Sequence, residues 1–414
     1  MTAASFFTCP QTCHRLYLGP VGPYIDRFAQ QLQEQGYTRN TVRTQLCTVA
    51  HFSHWLSQHK RGLESVQADQ IQRYFTARQR KGRRVCSAQS AALHALAAWV
   101  QQQCPIADAE TVEPPSERER VEQDFQRYLA QTRGLSAATQ RHYQPVIARF
   151  LRERFADEPV RWDTLQPAAI TAFVQRHIHG HSHSHAQQAV KALRAFLRYL
   201  QHRGTLADDL TACVPTVADW SSARLPACLS AYQLQQVLAQ CPRDTALGRR
   251  NYAMLLLLAR LGLRASEVAA LTLEDIDWQA GCLAIRNKGG RWSQLPLPQD
   301  VGAAISNYLR QGRPVCSDRR VFIREHAPRI GFTDSTGVSA VAAQALTRAG
   351  IQLPRQGAHL FRHTLATQLL QQGASLPEIA QVLRHQQLDT TRIYAKVELT
   401  ALRELAPPWP GGEV

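Results

Sequence analysis

The chain has 414 residues, with 48 Lys+Arg against 32 Asp+Glu and a formal net charge of +16. That length allows about two to four domains, and 44% hydrophobic residues can bury real cores, which excludes a disordered chain. The basic excess points to a polyanionic partner, nucleic acid first, and no stretch reaches the roughly 18 apolar residues that span a bilayer.

No leader is expected at the start of the sequence. Phe6 and Phe7 are not preceded by a basic segment or followed by a long apolar one, so no signal peptide is expected. The ten cysteines show no CxxC…CxxC or Cys/His zinc spacing, and reduced thiols in a cytoplasmic protein are the expectation. The segment 1–215 reads as amphipathic helices with an internal repeat. Gly36-Tyr37-Thr38 with Thr41 matches Gly134-Leu135-Ser136 with Thr139 at an offset of 98, and Phe52 matches Phe150 at the same offset. Val66, Ile71 and Tyr74 match Leu165, Ile170 and Phe173 at an offset of 99. Ala92, Ala95 and Trp99 match Ala189, Ala192 and Phe196 at an offset of 97. Each copy reads as a bundle of about four helices. Prolines and acids over about 105–118 mark a linker, and a second runs from about Val214 to Leu229.

Ser230-x-x-Gln233 then opens a helix as a capping box. Tyr252 to Leu263 reads as a buried helix and Ser266 to Leu273 as a short one. The segment 276–297 reads as a small antiparallel sheet: Ile276 to Trp278, a Gly281 turn, Leu283 to Arg286, a Lys288-Gly289-Gly290 turn, and Gln294 to Leu297. Ser375-x-x-Glu378, with Pro377 in the first turn, starts a helix ending near Arg384. Asp389, Thr390 and Thr391 can cap a last short helix bearing Ile393 and Tyr394. The expected division is 1–105 (N-terminal bundle), 119–213 (second bundle), 225–405 (C-terminal domain) and 406–414 (flexible tail). The fold class is mainly α, with a mixed α+β C-terminal domain holding a three-stranded antiparallel sheet.

The C-terminal half gathers groups suited to phosphoryl chemistry without a metal. Breaking a DNA strand needs a nucleophile, cations around the pentacoordinate phosphorus, and an acid for the departing 5′ oxygen. Arginine suits the second task, because its planar fork matches two phosphoryl oxygens and stays charged. Tyrosine suits the first: its phenol leaves more readily than a serine would, so the covalent phosphodiester is reversible. Arg264 sits where a helix ends, with Glu267 one turn on to orient it. Lys288 lies in the hairpin turn that follows, and His359 and Arg362 share one helix face. His385 and then Tyr394 come after them, toward the C-terminus. His363 reads as a packed histidine behind the site.

The stretches "LGLRASEVAALTLEDIDW", "IRNKGGRWSQLPL", "HLFRHTLATQLLQQGASLPEIAQVLRH" and "DTTRIYAKV" resemble the tyrosine recombinase (phage integrase) family, including the Xer-type resolvases. The likeness covers about 225–400 well. The segment 120–205 is also similar to the family's SAM-like core-binding domain, through "LSAATQRHY" and "AVKALRAFLRYL". The segment 1–105 matches only through the repeat.

The resemblance implies that Tyr394 forms a 3′-phosphotyrosyl link, that Arg264 and Arg362 clamp the scissile phosphate, and that Lys288 is the general acid. It implies that His359 and His385 bond the phosphate, His359 also assisting proton transfer, and that Glu267 supports the site. It implies a clamp on double-stranded DNA and a homotetramer on two sites, with accessory recombinases or DNA-bending proteins as further partners and the nucleoid as the location. No membrane, metal or cofactor is implied. The family usually has Leu-Gly-His where this chain has Leu383-Arg384-His385; Arg384 either carries strain of about 1 kcal/mol or adds a phosphate contact.

With DNA as the partner, Arg78, Arg80, Lys81, Arg83 and Arg84 read as backbone contacts rather than a solvated turn. Lys191 and Arg194 lie on a helix that in the family faces DNA. The corresponding second-copy loop holds His177, His179, His181, His183 and His185; no Cys or carboxylate joins them, so pH-dependent phosphate contact is favoured over a metal. Two rival activities use the same fold: DNA relaxation of the type IB topoisomerase kind, without partner exchange, and non-catalytic regulation by DNA binding. Mobile-element transposition, chromosome-dimer resolution and phage integration stay open.

Overall fold

The computed structural model describes residues 2–103 except Lys81, 116–217 except Asp157 and Ala207, 227–385 except Lys288, Gly289 and Arg355, and Thr391, Ile393 and Tyr394. Most of the 105–118 linker, much of the 214–229 linker, the Lys288-Gly289 turn, Asp389, Thr390 and the tail lie outside them. The chain forms two compact units, one of residues 1–107 with 224–414 and the other of 108–223.

The first unit begins with α1 (Pro10–Leu16), α2 (Ile25–Glu34), α3 (Arg39–Gln58), α4 (Ala68–Arg80) and α5 (Ser87–Gln103). Gly36 takes φ +81°, and the Thr38 hydroxyl then caps α3 by accepting from the Thr41 N–H. Phe28, Leu46, Phe52, Ile71 and Leu96 fill the core. Phe52 meets Tyr74 edge to face at 5.2 Å.

The second unit holds α6 (Glu117–Arg127), α7 (Ala137–Phe155), α8 (Pro167–Ile178) and α9 (His183–His202). Its local chemistry repeats that of the first bundle. Gly134 takes φ +58°, the Ser136 hydroxyl accepts from the Thr139 N–H, and Phe150 meets Phe173 edge to face at 5.0 Å. These are the positions the sequence repeat pairs with Gly36, Thr38, Thr41, Phe52 and Tyr74. The same cap and the same aromatic contact recur because the same residue types stand at those positions.

The first unit continues with α10 (Ala231–Ala239), α11 (Ala246–Arg260), α12 (Ala265–Ala270), β1 (Ile276–Asp277), β2 (Cys282–Arg286), β3 (Trp292–Pro296), α13 (Gln299–Gln311), α14 (Thr336–Arg348), α15 (Ala358–Gln371) and α16 (Leu376–Val382). Both capping boxes form, Ser230 with Gln233 and Ser375 with Glu378. The strands run β1-β2-β3, all antiparallel, with Leu283 opposite both Ile276 and Leu295. Several boundaries differ from the expectation, and the buried helix starts earlier, at Ala246. The buried helix stops at Arg260 rather than Leu263, because Gly262 turns the chain at φ +56°. The short helix stops at Ala270, and Leu273–Asp275 form a separate 3₁₀ turn. The third strand begins at Trp292, where Arg286 pairs with it. Residues such as Met254, Leu257, Phe322 and Phe361 make the core beneath the sheet and helices.

Candidate active site

The α11–α12 turn, the end of α16 and the chain at Tyr394 meet α15 around Arg362 and His363. Arg264 stands at the N-cap of α12, and its position is set by Glu267 one turn on. The Arg264 backbone N–H donates to Glu267 Oε2 at 2.9 Å, and its Nη1 donates to Oε1 at 2.7 Å. The carboxylate is 3% exposed and the guanidinium 23%. Glu267 is therefore a buried anchor, and Arg264 keeps further donors for a phosphate.

Arg362 lies in the second turn of α15. Its Nη1 donates to the Gly262 carbonyl and its Nη2 to the Leu383 carbonyl, so it joins the α11–α12 turn to the end of α16. Burial lowers its pKa to about 10, with Arg264 and Arg384 adding repulsion, and it stays charged at neutral pH. His359 sits one turn before Arg362 and is exposed on the helix face. Partial desolvation by the surrounding protein lowers its pKa, and the Arg362 and Arg264 charges add to the effect.

His385 follows α16. Its Nδ1 lies 2.7 Å from Thr391 Oγ1. Burial, then the charges of Arg362 and Arg264, lowers its pKa to about 4, so the ring is neutral at pH 7. Tyr394 packs with Ala366, Leu370, Ile379 and Leu383 and is 1% exposed. Burial raises its phenol to about 12, with the Arg362 charge opposing.

The phenol hydroxyl of Tyr394 meets His363 Nδ1 at 2.9 Å. A sequence reading that sets His363 behind the site misses this contact. The available signal was its place beside Arg362 and one turn from His359, which puts its ring 6.3 Å from that of His359. With Nδ1 as the unprotonated nitrogen of the ring, the protonated phenol donates to it. The imidazole thus stands where a proton acceptor for the phenol belongs.

Of the groups expected at the site, Arg264, Glu267, His359, Arg362, His385 and Tyr394 are brought to α12, α15 and the chain after α16, while Lys288 lies outside the described residues. The expected DNA contacts fall elsewhere. Arg80, Arg83, Arg84 and Lys191 are exposed, and Lys81 lies outside the described residues. Arg78 donates to the Tyr74 hydroxyl at 3.1 Å beside a cleft of ≈ 430 Å³ in the N-terminal bundle, which Arg43, Arg83, His51, Asn40 and Thr44 also line. Arg194 donates to the Val214 carbonyl and to Thr216 Oγ1, both at 2.8 Å, and so ties down the chain after α9. His177 is 6% exposed and stacks on Phe173, an inward placement unlike the phosphate contact expected of that loop. Among the described residues no three His, Cys, Asp or Glu side chains are grouped as metal ligands.

Residues 228–400 match the phage integrase family, and the phage integrase N-terminal SAM-like domain matches twice, at 25–103 and 123–204. The chain is 43% identical over 394 residues to y4rA of Sinorhizobium fredii, which bears the name putative integrase/recombinase; the match covers 95% of each chain. It is 29% identical over 292 residues to the tyrosine recombinase XerD of Listeria innocua, covering 68% of this chain and 95% of XerD. In fold it is similar to XerH site-specific recombinase bound to palindromic difH substrate, with a TM-score of 0.55 at 19% identity over 70% of this chain and 85% of XerH. The Tn1549 transposon integrase in complex with a circular intermediate DNA gives a TM-score of 0.51 at 14% identity over 68% and 99%. With both its C-terminal domain and its helical bundles matched, the chain belongs to the phage integrase family and is a tyrosine-type site-specific DNA recombinase.

Proposed function

We propose that Tyr394 is the nucleophile of DNA strand cleavage, with His363 as its proton acceptor. The Tyr394 hydroxyl, bonded to a histidine that directly follows Arg362 in the sequence, carries this reading. The phenol oxygen attacks the scissile phosphorus and gives its proton to His363 Nδ1. The P–O5′ bond breaks, the 3′-phosphotyrosyl bond forms, and Lys288 protonates the departing 5′ oxygen. Arg264 and Arg362 hold the non-bridging oxygens as their charge grows. His359 and neutral His385 add hydrogen bonds. Attack by a 5′-hydroxyl on the phosphotyrosine reverses the sequence and conserves the bond energy.

The 1% exposure of Tyr394 sets a requirement: the segment after α16 shifts to bring the phenol to the phosphate. The enzyme acts as a homotetramer on two double-stranded sites, in the cytoplasm at nucleoid DNA, as part of a mobile element, with accessory DNA-bending proteins or a second recombinase as further partners. The basic cleft of the N-terminal bundle, with exposed Arg80, Arg83 and Arg84 near it, contacts the DNA backbone as a second grip.

A nicked duplex tests the nucleophile. Tiled over the DNA flanking the coding sequence, such substrates should trap the chain as a covalent adduct, and Tyr394→Phe should abolish it. An adduct that persists in Tyr394→Phe would overturn the assignment.

A further inference from the structure

An arginine stands where α16 turns left-handed. Arg384 has φ +55°, its N–H donates to the Gln381 carbonyl at 3.0 Å, and the His385 N–H reaches back to the Ala380 carbonyl at 2.9 Å. This is the helix ending in which glycine is at ease and a side chain is strained. A side chain kept there must contribute something the backbone loses. Arg384 Nη2 lies 3.0 Å from Glu267 Oε2, across 117 residues of sequence, and its side chain is 6% exposed. The other oxygen of that carboxylate holds Arg264 at 2.7 Å. One buried carboxylate therefore joins two guanidinium groups, from α12 and from the peptide just before His385.

We propose that Arg384 is a positioning residue for strand cleavage. It adds a bond from a second element to Glu267 Oε2, which otherwise accepts only from the Arg264 backbone N–H at 2.9 Å, so the carboxylate does not move with Arg264 when that arginine meets a phosphate. It also ties the segment that leads to His385 and Tyr394 to the arginine at the scissile phosphate. A carboxylate bonded to a single residue follows that residue when it shifts, whereas one held from two elements does not. The positive charge of Arg384 is spent on Glu267 rather than on DNA, so the residue acts through Arg264. This role rests on the assignments of Arg264 and Tyr394 above.

The test compares wild type, Arg384→Gly, Arg384→Gln and Arg384→Lys on the nicked duplex at which the wild-type chain forms its adduct. At saturating DNA, Arg384→Gly and Arg384→Gln should cleave roughly 10- to 100-fold more slowly, the loss expected when a clamping group drifts. Their affinity for the duplex should hold within about threefold, because the phosphate contacts themselves remain. Arg384→Lys, which keeps the charge, should recover most of the rate. Glu267→Gln should slow cleavage less in the Arg384→Gly background than alone, since the two act as one unit. Thermal midpoints identify any variant that fails to fold; Gln, which keeps the stem, then replaces Gly as the deciding variant. Wild-type rates in both Arg384→Gly and Arg384→Gln, or full additivity with Glu267→Gln, would overturn the role. Absence of any wild-type adduct would instead strike at the assignment of Tyr394, and the role of Arg384 would fall with it.

Discussion

His363 shows how a single atom position changes a residue's meaning. Its Nδ1 lies 2.9 Å from the Tyr394 hydroxyl, the contact on which its proposed role as base rests, and a positioned general base contributes about 100-fold or more. His363→Ala should therefore slow single-turnover cleavage by at least about 100-fold at unchanged DNA affinity. A rate within threefold of wild type would count against it. His385 supplies a pH effect. Its folded pKa of about 4 lies below the ordinary imidazole value of about 6.5. The unfolded chain therefore takes up this proton first as pH falls, so folding stability drops from about pH 6.5 toward pH 4 and levels off below it. His385→Asn should flatten that part of the stability–pH curve, as followed by thermal midpoint; an unchanged slope would refute the shift.

Among the elements, the α11–α12 turn is the critical joint. Gly262 has φ +56°, and a Cβ there would lie 2.9 Å from Leu383 Cδ2 and 3.0 Å from Leu365 Cδ2. Its carbonyl also accepts from Arg362. Gly262→Ala should cost roughly 1–3 kcal/mol, from left-handed strain and crowding together. Denaturant unfolding would read this loss, and cleavage should fall with it because the Arg362 acceptor moves. A stability change below about 0.5 kcal/mol, the size typical of a surface substitution, would show that the leucine ends absorb the methyl. The hairpin was legible because alternating strand residues flank glycine turns, and both capping boxes because Ser and Gln or Glu stand three apart. The α11 boundary was not, since Leu261 and Leu263 continue the apolar pattern past the point where Gly262 breaks it.

Taken whole, the chain carries a net charge of +16 and an N-terminal cleft lined by Arg43, Arg78, Arg83 and His51. Burial first, then the nearby Arg15, Arg78 and Arg83 charges, lowers the pKa of His51, as expected where cations crowd an imidazole. Replacing Arg43, Arg78 and Arg83 by Ala should reduce the dependence of log affinity on log salt by about 0.9 for each phosphate no longer neutralised. Filter binding to a duplex of arbitrary sequence over a salt series measures this; an unchanged slope would remove the cleft from the DNA-binding surface. Lys191 offers a comparison from the second unit, being exposed on α9, whereas Arg194 is already committed to Val214 and Thr216.

Periodicity, turn chemistry and residue type are local properties of the chain, and they were enough to read the helical repeat, the small sheet, the family and the order of the reacting groups. Packing alone chose which histidine meets the phenol, set Arg384 against Glu267 across 117 residues, and turned His177 and Arg194 to their own bundle. Side chains that share a helix face are equivalent in sequence, and only the arrival of a second segment against that face selects among them.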